Sequence, residues 1–291
     1  MKVALIQFAP KADQREENLA KSLNLALRAI EEGAKIIVLP ELFDSGYCVE
    51  KQDSKLGLDF AFFQKALKDK KFKELSLKYP TLARLYEFAK TYEIHIVASS
   101  IQKDKGKIYD SAYIINKDGL VGTYRKIYLW GNEKQRFQRG KDYPVFKLKI
   151  DKESIKVGLG ICYEIGFGEG ARYLSLKGAQ ILIYPAAFGK ARNYVWDLAS
   201  RARALENGVF VLANNRSGSE VSQISGEKLE FAANSRIINP KGEILTQALQ
   251  DEEVIIADLH LEEVALQREN LPYLKDIDIR LNRKVLKGLL S

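Results

Sequence analysis

The sequence is poor in the residues that staple or metallate a fold. In 291 residues it has two cysteines, Cys48 and Cys162, and two histidines, His95 and His260. Two cysteines make no disulfide framework, and two histidines this far apart give no zinc-like spacing, so no metal is expected and a reduced, cytoplasmic compartment fits. No stretch reaches the roughly 18 apolar residues that a membrane span needs. The strand-like run VALIQF follows Met1 and Lys2 directly, with no charged leader, apolar core or cleavage site before it. The expectation is a soluble, unexported protein with no membrane partner.

Acidic charge is also in deficit. Lys and Arg number 46 against 38 Asp and Glu, a formal net charge of +8, which raises a nucleic-acid partner as one reading. The lysines are dispersed, however. The densest cluster, Lys65 to Lys78, contains Asp69 and Glu74 and has helix-like stretches, so it reads as a solvated helical face or loop. No motif that reads RNA or DNA accompanies it, and no nucleic-acid partner is expected.

What is present is an alternation of helical and strand patterns, which argues for an α/β fold. Asp13 followed by Glu16 resembles a helix-capping arrangement, Leu19, Leu23, Ala26 and Ile30 form one apolar stripe, and Gly33 supplies the stop. A strand from Ile36 to Leu39 follows. Leu82, Leu85, Tyr86 and Ala89 then repeat at helical spacing after Pro80, and strands are expected over Ile94 to Ser99 and Ser111 to Asn116. The second half echoes the first: GAKIIVLPELF from Gly33 matches GAQILIYPAAF from Gly178, and SAYIINKDG from Ser111 resembles SRIINPKG from Ser235. The first half carries the longer excursion, placed at Glu50 to Pro80. Two long repeats imply two similar halves packed sheet to sheet. The predicted fold is a four-layer αββα sandwich, one domain over 1–291, with about 260–291 as a C-terminal extension.

Three stretches carry candidate chemistry. Ile155 to Ile161 alternates like a strand and delivers Cys162 to its end, ahead of a turn and helix over Glu164 to Gly178. Alone, Cys162 reads either as a small buried hydrophobe or as a thiolate favoured by the positive end of a helix. Glu41 follows a strand where the second half has Ala186, so the fold does not demand a carboxylate there. It reads as a surface acid, or as a general base whose pKa is raised by apolar neighbours. Tyr124 to Gly140 mixes Arg125, Lys126, Trp130, Glu133 and Phe137 with no helical period. It reads as an exposed basic loop, or as the source of a cation for an oxyanion.

Glu41 in Pro40-Glu41-Leu42-Phe43, Lys126 in Tyr124-Arg125-Lys126 and Cys162 in Gly160-Ile161-Cys162-Tyr163-Glu164 resemble, in that order and near those separations, the Glu-Lys-Cys triad of the nitrilase superfamily of carbon–nitrogen hydrolases. The opening VALIQF, Glu133 and Phe137, the run from Arg201 to Gly218, the pattern from Phe231 to Gly242 and LPYLKD near the C-terminus extend the likeness over nearly the whole chain. The resemblance implies the αββα fold and a cysteine hydrolase that needs no histidine and no cofactor. Both histidines read as residues in apolar, strand-like surroundings. Glu41 would be the base, Cys162 the nucleophile and Lys126, with the backbone N–H of Tyr163, the oxyanion donors, while Glu133 would orient the lysine and the substrate. Cys162-Tyr163-Glu164-Ile165 is similar to the amidase branches, which implies a small linear amide or N-carbamoyl substrate, with a nitrile substrate or a non-catalytic binding protein on the same fold as alternatives. Tyr47, Trp130, Phe188 and Asn193 are expected in the pocket beside Tyr163. Gly168 stands where the family usually has proline, which puts the shape of the loop beside Cys162 in question. A homodimer or a multiple of it is expected: Val195, Leu198, Ala202 and Leu205 form a face meant for the sheet, and the apolar tail from Leu281 to Leu290 has no place in the repeat.

Overall fold

The computed structural model describes residues 1–289. The chain opens with a strand, Lys2–Gln7 (β1), the helix Arg15–Glu31 (α1) and the strand Ile36–Val38 (β2). Three helices, Asp53–Leu56 (α2), Phe60–Lys68 (α3) and Phe72–Lys78 (α4), occupy the excursion expected before Pro80–Thr91 (α5). Strands His95–Asp104 (β3), Lys107–Asn116 (β4) and Gly119–Arg125 (β5) follow, then the short helix Glu133–Arg136 (α6). The second half runs Val145–Ile150 (β6), Glu153–Leu159 (β7), a 3-10 turn over Cys162–Gly166, Gly168–Leu176 (α7), Ile181–Ala186 (β8), Asn193–Leu205 (α8) and Phe210–Asn215 (β9). A small hairpin, Ser219–Val221 (β10) with Lys228–Glu230 (β11), precedes Arg236–Ile238 (β12), Ile244–Gln247 (β13) and Glu253–Asp258 (β14). Helices Glu262–Asn270 (α9), Tyr273–Asp276 (α10) and Ile279–Gly288 (α11) end the described chain.

Two six-stranded sheets result, ordered β14-β1-β2-β3-β4-β5 and β13-β12-β9-β8-β7-β6. Each has a parallel centre, β1-β2-β3 in one and β7-β8-β9 in the other, with antiparallel strands outside. The repeated segments therefore land on β2 and β8, equivalent central strands. Alternation along β1 decides the layers. Val3 and Leu5 pack in one core with Val157, Leu159, Ile181 and Ile183 of the opposite sheet, whereas Ala4 and Ile6 pack with Leu19, Leu25, Leu82 and Leu85 of α1 and α5. Helices, sheet, sheet and helices form the four layers expected from the repeat. In the second half the connection β9 to β12 carries the β10–β11 hairpin, which the repeat did not indicate.

Several local expectations are corrected. Asp13 does not cap α1: it has a left-handed φ of 59° and its carboxylate accepts from Gln52 Nε2 at 2.7 Å, while Gln14 takes the N-cap position without a side-chain bond. Gly33 does end that helix, with φ 86° and its N–H on Ile30 O at 2.8 Å. Strand β2 stops at Val38, one residue short of the expected Leu39. Helix α8 buries Trp196, Ala199, Ser200 and Ala204, not the expected face: Leu198 and Leu205 point to solvent. The Trp196 indole is fully buried where Val195, Leu198, Ala202 and Leu205 were expected to pack. His95 is buried in β3, but His260 lies exposed beyond β14, 3.6 Å from Glu262. Helix α11 buries none of its residues, and Ile279, Leu281, Val285 and Leu286 are all exposed; Leu290 of the expected tail lies outside the described residues. Among the described residues no helix is long and apolar enough to cross a membrane.

Candidate active site

Three strand ends converge between the sheets. After β2 the chain carries Glu41 to a fully buried position, and the next residue, Leu42, takes a left-handed φ of 49°. A non-glycine residue rarely adopts that conformation without a structural reason. Here Leu42 N–H donates to Ser99 Oγ at 3.2 Å. Glu41 Oε1 accepts from Lys126 Nζ at 2.6 Å, and Oε2 accepts from the Ala187 N–H of the opposite half at 2.6 Å. Glu41 is thus no surface acid. Nor is Tyr124 to Gly140 an exposed loop at Lys126, which follows β5 with its side chain fully buried and its backbone N–H on Asp110 O at 3.0 Å.

The lysine is surrounded by acid. Its Nζ donates to Glu133 Oε1 at 2.8 Å and lies 3.4 Å from Asp110 Oδ2. Glu133 on α6 is further held by the Tyr47 hydroxyl at 2.5 Å and, through Oε2, by the Trp130 N–H at 2.8 Å. Burial alone would lower the lysine pKa, but Glu133, Glu41 and Asp110 outweigh it and hold the ammonium well above its ordinary value. Oxygens of Glu41, Asp110 and Glu133 lie within 4.8 Å of one another, a spacing that could bind a cation. Lys126 supplies that positive charge.

Cys162 closes the group from β7. Its φ of 49° turns the chain sharply into the 3-10 turn, and Glu164 secures that turn: Oε2 accepts from Ile161 N–H at 2.9 Å, while Oε1 accepts from Tyr124 Oη, Ile127 N–H and Tyr128 N–H. Burial nevertheless pushes the Glu164 carboxyl up to about 7. The expectation of a helix-lowered thiol is overturned. Burial first, and then the Glu41 carboxylate against which the thiol lies, raise the Cys162 pKa well above its ordinary value, and the Lys126 ammonium only partly offsets them. The thiol is therefore protonated at rest.

Cys162 opens onto a cavity of about 680 Å³, walled by Tyr47, Trp130, Tyr163 and Phe188 as expected, and also by Arg192 and Phe231. Trp130 and Tyr163 pack with ring centroids 4.8 Å apart, and the Arg192 guanidinium lies 4.5 Å from the centroid of Trp130. Asn193 does not line this space; its Oδ1 accepts from Asn234 Nδ2 at 2.9 Å and secures the start of α8.

Residues 2–269 match the family model of carbon–nitrogen hydrolases. The chain belongs to that family. It is 34% identical over 278 residues to a nitrilase of Pyrococcus abyssi, covering 93% of this chain and 94% of that one. It is 34% identical over 287 residues to an omega-amidase of Xenopus tropicalis, covering 93% and 92%. A solved carbon–nitrogen hydrolase of Helicobacter pylori G27 superposes with a TM-score of 0.81 at 27% identity, over 99% of this chain and 98% of that one. The nitrilase-superfamily fold and a hydrolase acting on carbon–nitrogen bonds other than peptide bonds are thereby established.

Within this carbon–nitrogen hydrolase, two features escaped the sequence, and a third, Gly168, was expected to shape the loop. Asp110 sits mid-strand in β4, where its carboxylate faces the lysine. Glu220, from the unforeseen hairpin, accepts from the N–H groups of Tyr47 (2.9 Å) and Cys48 (2.6 Å) and pairs with fully buried Arg216, so it anchors the Tyr47 loop. Gly168, finally, opens α7 without a positive φ. That is the first helical position, where proline is favoured, so the glycine leaves the loop geometry open to a proline-like path.

Proposed function

We propose that this chain is a cysteine-dependent amidohydrolase that cleaves a small linear amide or N-carbamoyl compound through a thioester. The observation that carries the reading is a buried thiol lying against Glu41 in an aromatic-walled cavity, with one buried ammonium beside both. A thiol with a raised pKa needs a base in contact, and Glu41 is that base. Glu41 takes the Sγ proton as sulfur bonds to the carbonyl carbon, and the carbonyl oxygen becomes an oxyanion. Lys126 and the backbone N–H of Tyr163 stabilise it. The intermediate collapses, the C–N bond breaks, and the proton on Glu41 leaves with ammonia or the amine. Water then attacks the thioester, its proton passing to Glu41, and the acid departs with the Cys162 thiol restored. Glu133 holds the ammonium in place, and Tyr47 holds Glu133.

The names of the relatives support the amide reading through the omega-amidase, while the Pyrococcus relative keeps a nitrile substrate in view. Residues 1–291 are proposed to work as one hydrolase unit, with the segment from about 260 as a C-terminal extension, in the cytoplasm and as a homodimer or a multiple of one. Exposed Tyr194, Leu198 and Leu205 on α8 and the unburied α11 support the pairing.

Ammonia release is to be measured over linear amides, N-carbamoyl amines and matched nitriles, with mass spectrometry of enzyme quenched during turnover. The expected result is an acyl adduct on Cys162, release from amides or carbamoyl compounds, and loss of both in Cys162→Ala but not in Cys48→Ala. Turnover surviving in Cys162→Ala would refute the mechanism; release confined to nitriles would refute the substrate class.

A further inference from the structure

Counting donors around Lys126 separates the three carboxyl groups. Glu133 accepts three hydrogen bonds, from Tyr47 Oη, Lys126 Nζ and Trp130 N–H. Glu41 accepts two, one from the ammonium and one from Ala187 N–H. Asp110 accepts one, from Ser99 Oγ to Oδ1 at 3.1 Å. Its Oδ2 is completely enclosed and has no hydrogen-bond partner; the ammonium 3.4 Å away makes no hydrogen bond to it. An ionised carboxylate without donors is costly in such a place, and three carboxylates on one ammonium would leave two uncompensated buried charges. A proton on Oδ2 removes the first problem and leaves one excess charge in place of two, since that oxygen then becomes a donor towards the neighbouring Glu41 carboxylate.

We propose that Asp110 is a positioning residue held in its protonated form, donating from Oδ2 to Glu41 and so tuning the base. The proposal rests on the reading of Glu41 as the general base only for its kinetic consequence, not for the protonation itself. The groups that face Asp110 are Glu41 from the turn after β2, Lys126 after β5, and Ser99 from β3. Burial and Glu41 both push the Asp110 carboxyl up, in agreement with the donor count. A hydrogen bond donated to a carboxylate favours its charged form, so Asp110 in this role supports the Glu41 carboxylate that takes the thiol proton. Through Ser99, which binds Leu42 N–H, the same residue also braces the left-handed backbone beside the base.

Infrared difference spectroscopy on the intact enzyme at pH 8.5, with and without carboxyl-13C aspartate, reads this without substrate. The aspartate label and the pH keep Glu164, with its pKa of about 7, out of the signal. The expected result is one isotope-shifted band of a protonated carboxyl, absent from Asp110→Asn. In kinetics, Asp110→Asn keeps an N–H donor towards Glu41, so kcat/KM falls but its acid limb stays where it is. Asp110→Ala loses the donor, and the limb moves to higher pH. A wild-type spectrum with no labelled protonated-carboxyl band overturns the proposal, as does a band that survives in Asp110→Asn. An acid limb displaced to lower pH in Asp110→Asn would mean that a negative charge had been removed, and overturns it as well. If the band behaves as expected while no limb responds to either variant, the protonation stands and Glu41 is not the titrating base.

Discussion

Replacing Lys126 by methionine, one atom shorter, keeps most of the apolar stem and deletes the charge, which separates the structural job of the ammonium from the catalytic one proposed for it. In the wild type the ammonium is fully buried, 2.6 Å from Glu41 and 2.8 Å from Glu133. Its pKa in the folded state is raised above the ordinary value. A lysine raised in this way contributes stability that is intact below the unfolded value of about 10.4 and is lost only as the pH climbs through the folded value. Without it, Glu41 and Glu133 are buried carboxylates facing each other. Breaking a buried pair by removing one partner costs about 3–5 kcal/mol. The cost depends on pH with a definite sign: with the ammonium gone, two buried carboxylates repel each other when charged, so the penalty is slight where protons neutralise them and grows as the pH rises. Urea denaturation at pH 5 and pH 8 should show the gap between wild type and Lys126→Met widening. Single-turnover rates should fall further than stability explains, because an oxyanion donor is worth about 10²- to 10³-fold in kcat. A variant as stable as wild type at pH 8, or one turning over within a small factor of it, would refute the double role.

Two other predictions follow from side chains away from the lysine. Burial raises the Glu164 carboxyl to about 7, so wild-type stability from this group should decline as the pH rises from about 4.5 to about 7. Glu164→Gln should flatten that slope, and it should cost about 1–3 kcal/mol because its amide nitrogen must face an N–H or O–H donor in place of an acceptor; denaturation across pH checks both, and an unchanged slope would count against the raised value. Deleting the residues after Lys275 removes α11 and should weaken self-association in sedimentation velocity at micromolar concentration, whereas intact protein running as a single 32.9 kDa species would rule out the dimer.

The architecture was legible because it rests on repetition and alternation. GAKIIVLPELF and GAQILIYPAAF report their own equivalence, and each fell on a central strand of its sheet. Glu41 stood out because its counterpart Ala186 shows what the fold alone requires. What escaped depends on burial, which residue type does not disclose. Lys126 in a basic stretch resembles an exposed lysine until three carboxyls close round it, and the Cys162 pKa follows desolvation and Glu41. Helix α8 has apolar residues on more than one face, so spacing could not say that Trp196 faces the sheet while Leu198 and Leu205 face out. Asn193 looked like a pocket residue by position, yet Asn234 engages it.

Glu41 comes from one half of the repeat and Cys162 from the other, and the proposed base is pinned by a backbone N–H, that of Ala187, which belongs to the half of the proposed nucleophile. Neither half carries the proposed pair by itself: the site is a seam, and the chemistry is divided across it. Activity in such a molecule is a proofreader of assembly, because a chain whose two halves are packed out of place presents an acid with no thiol, or a thiol with no base.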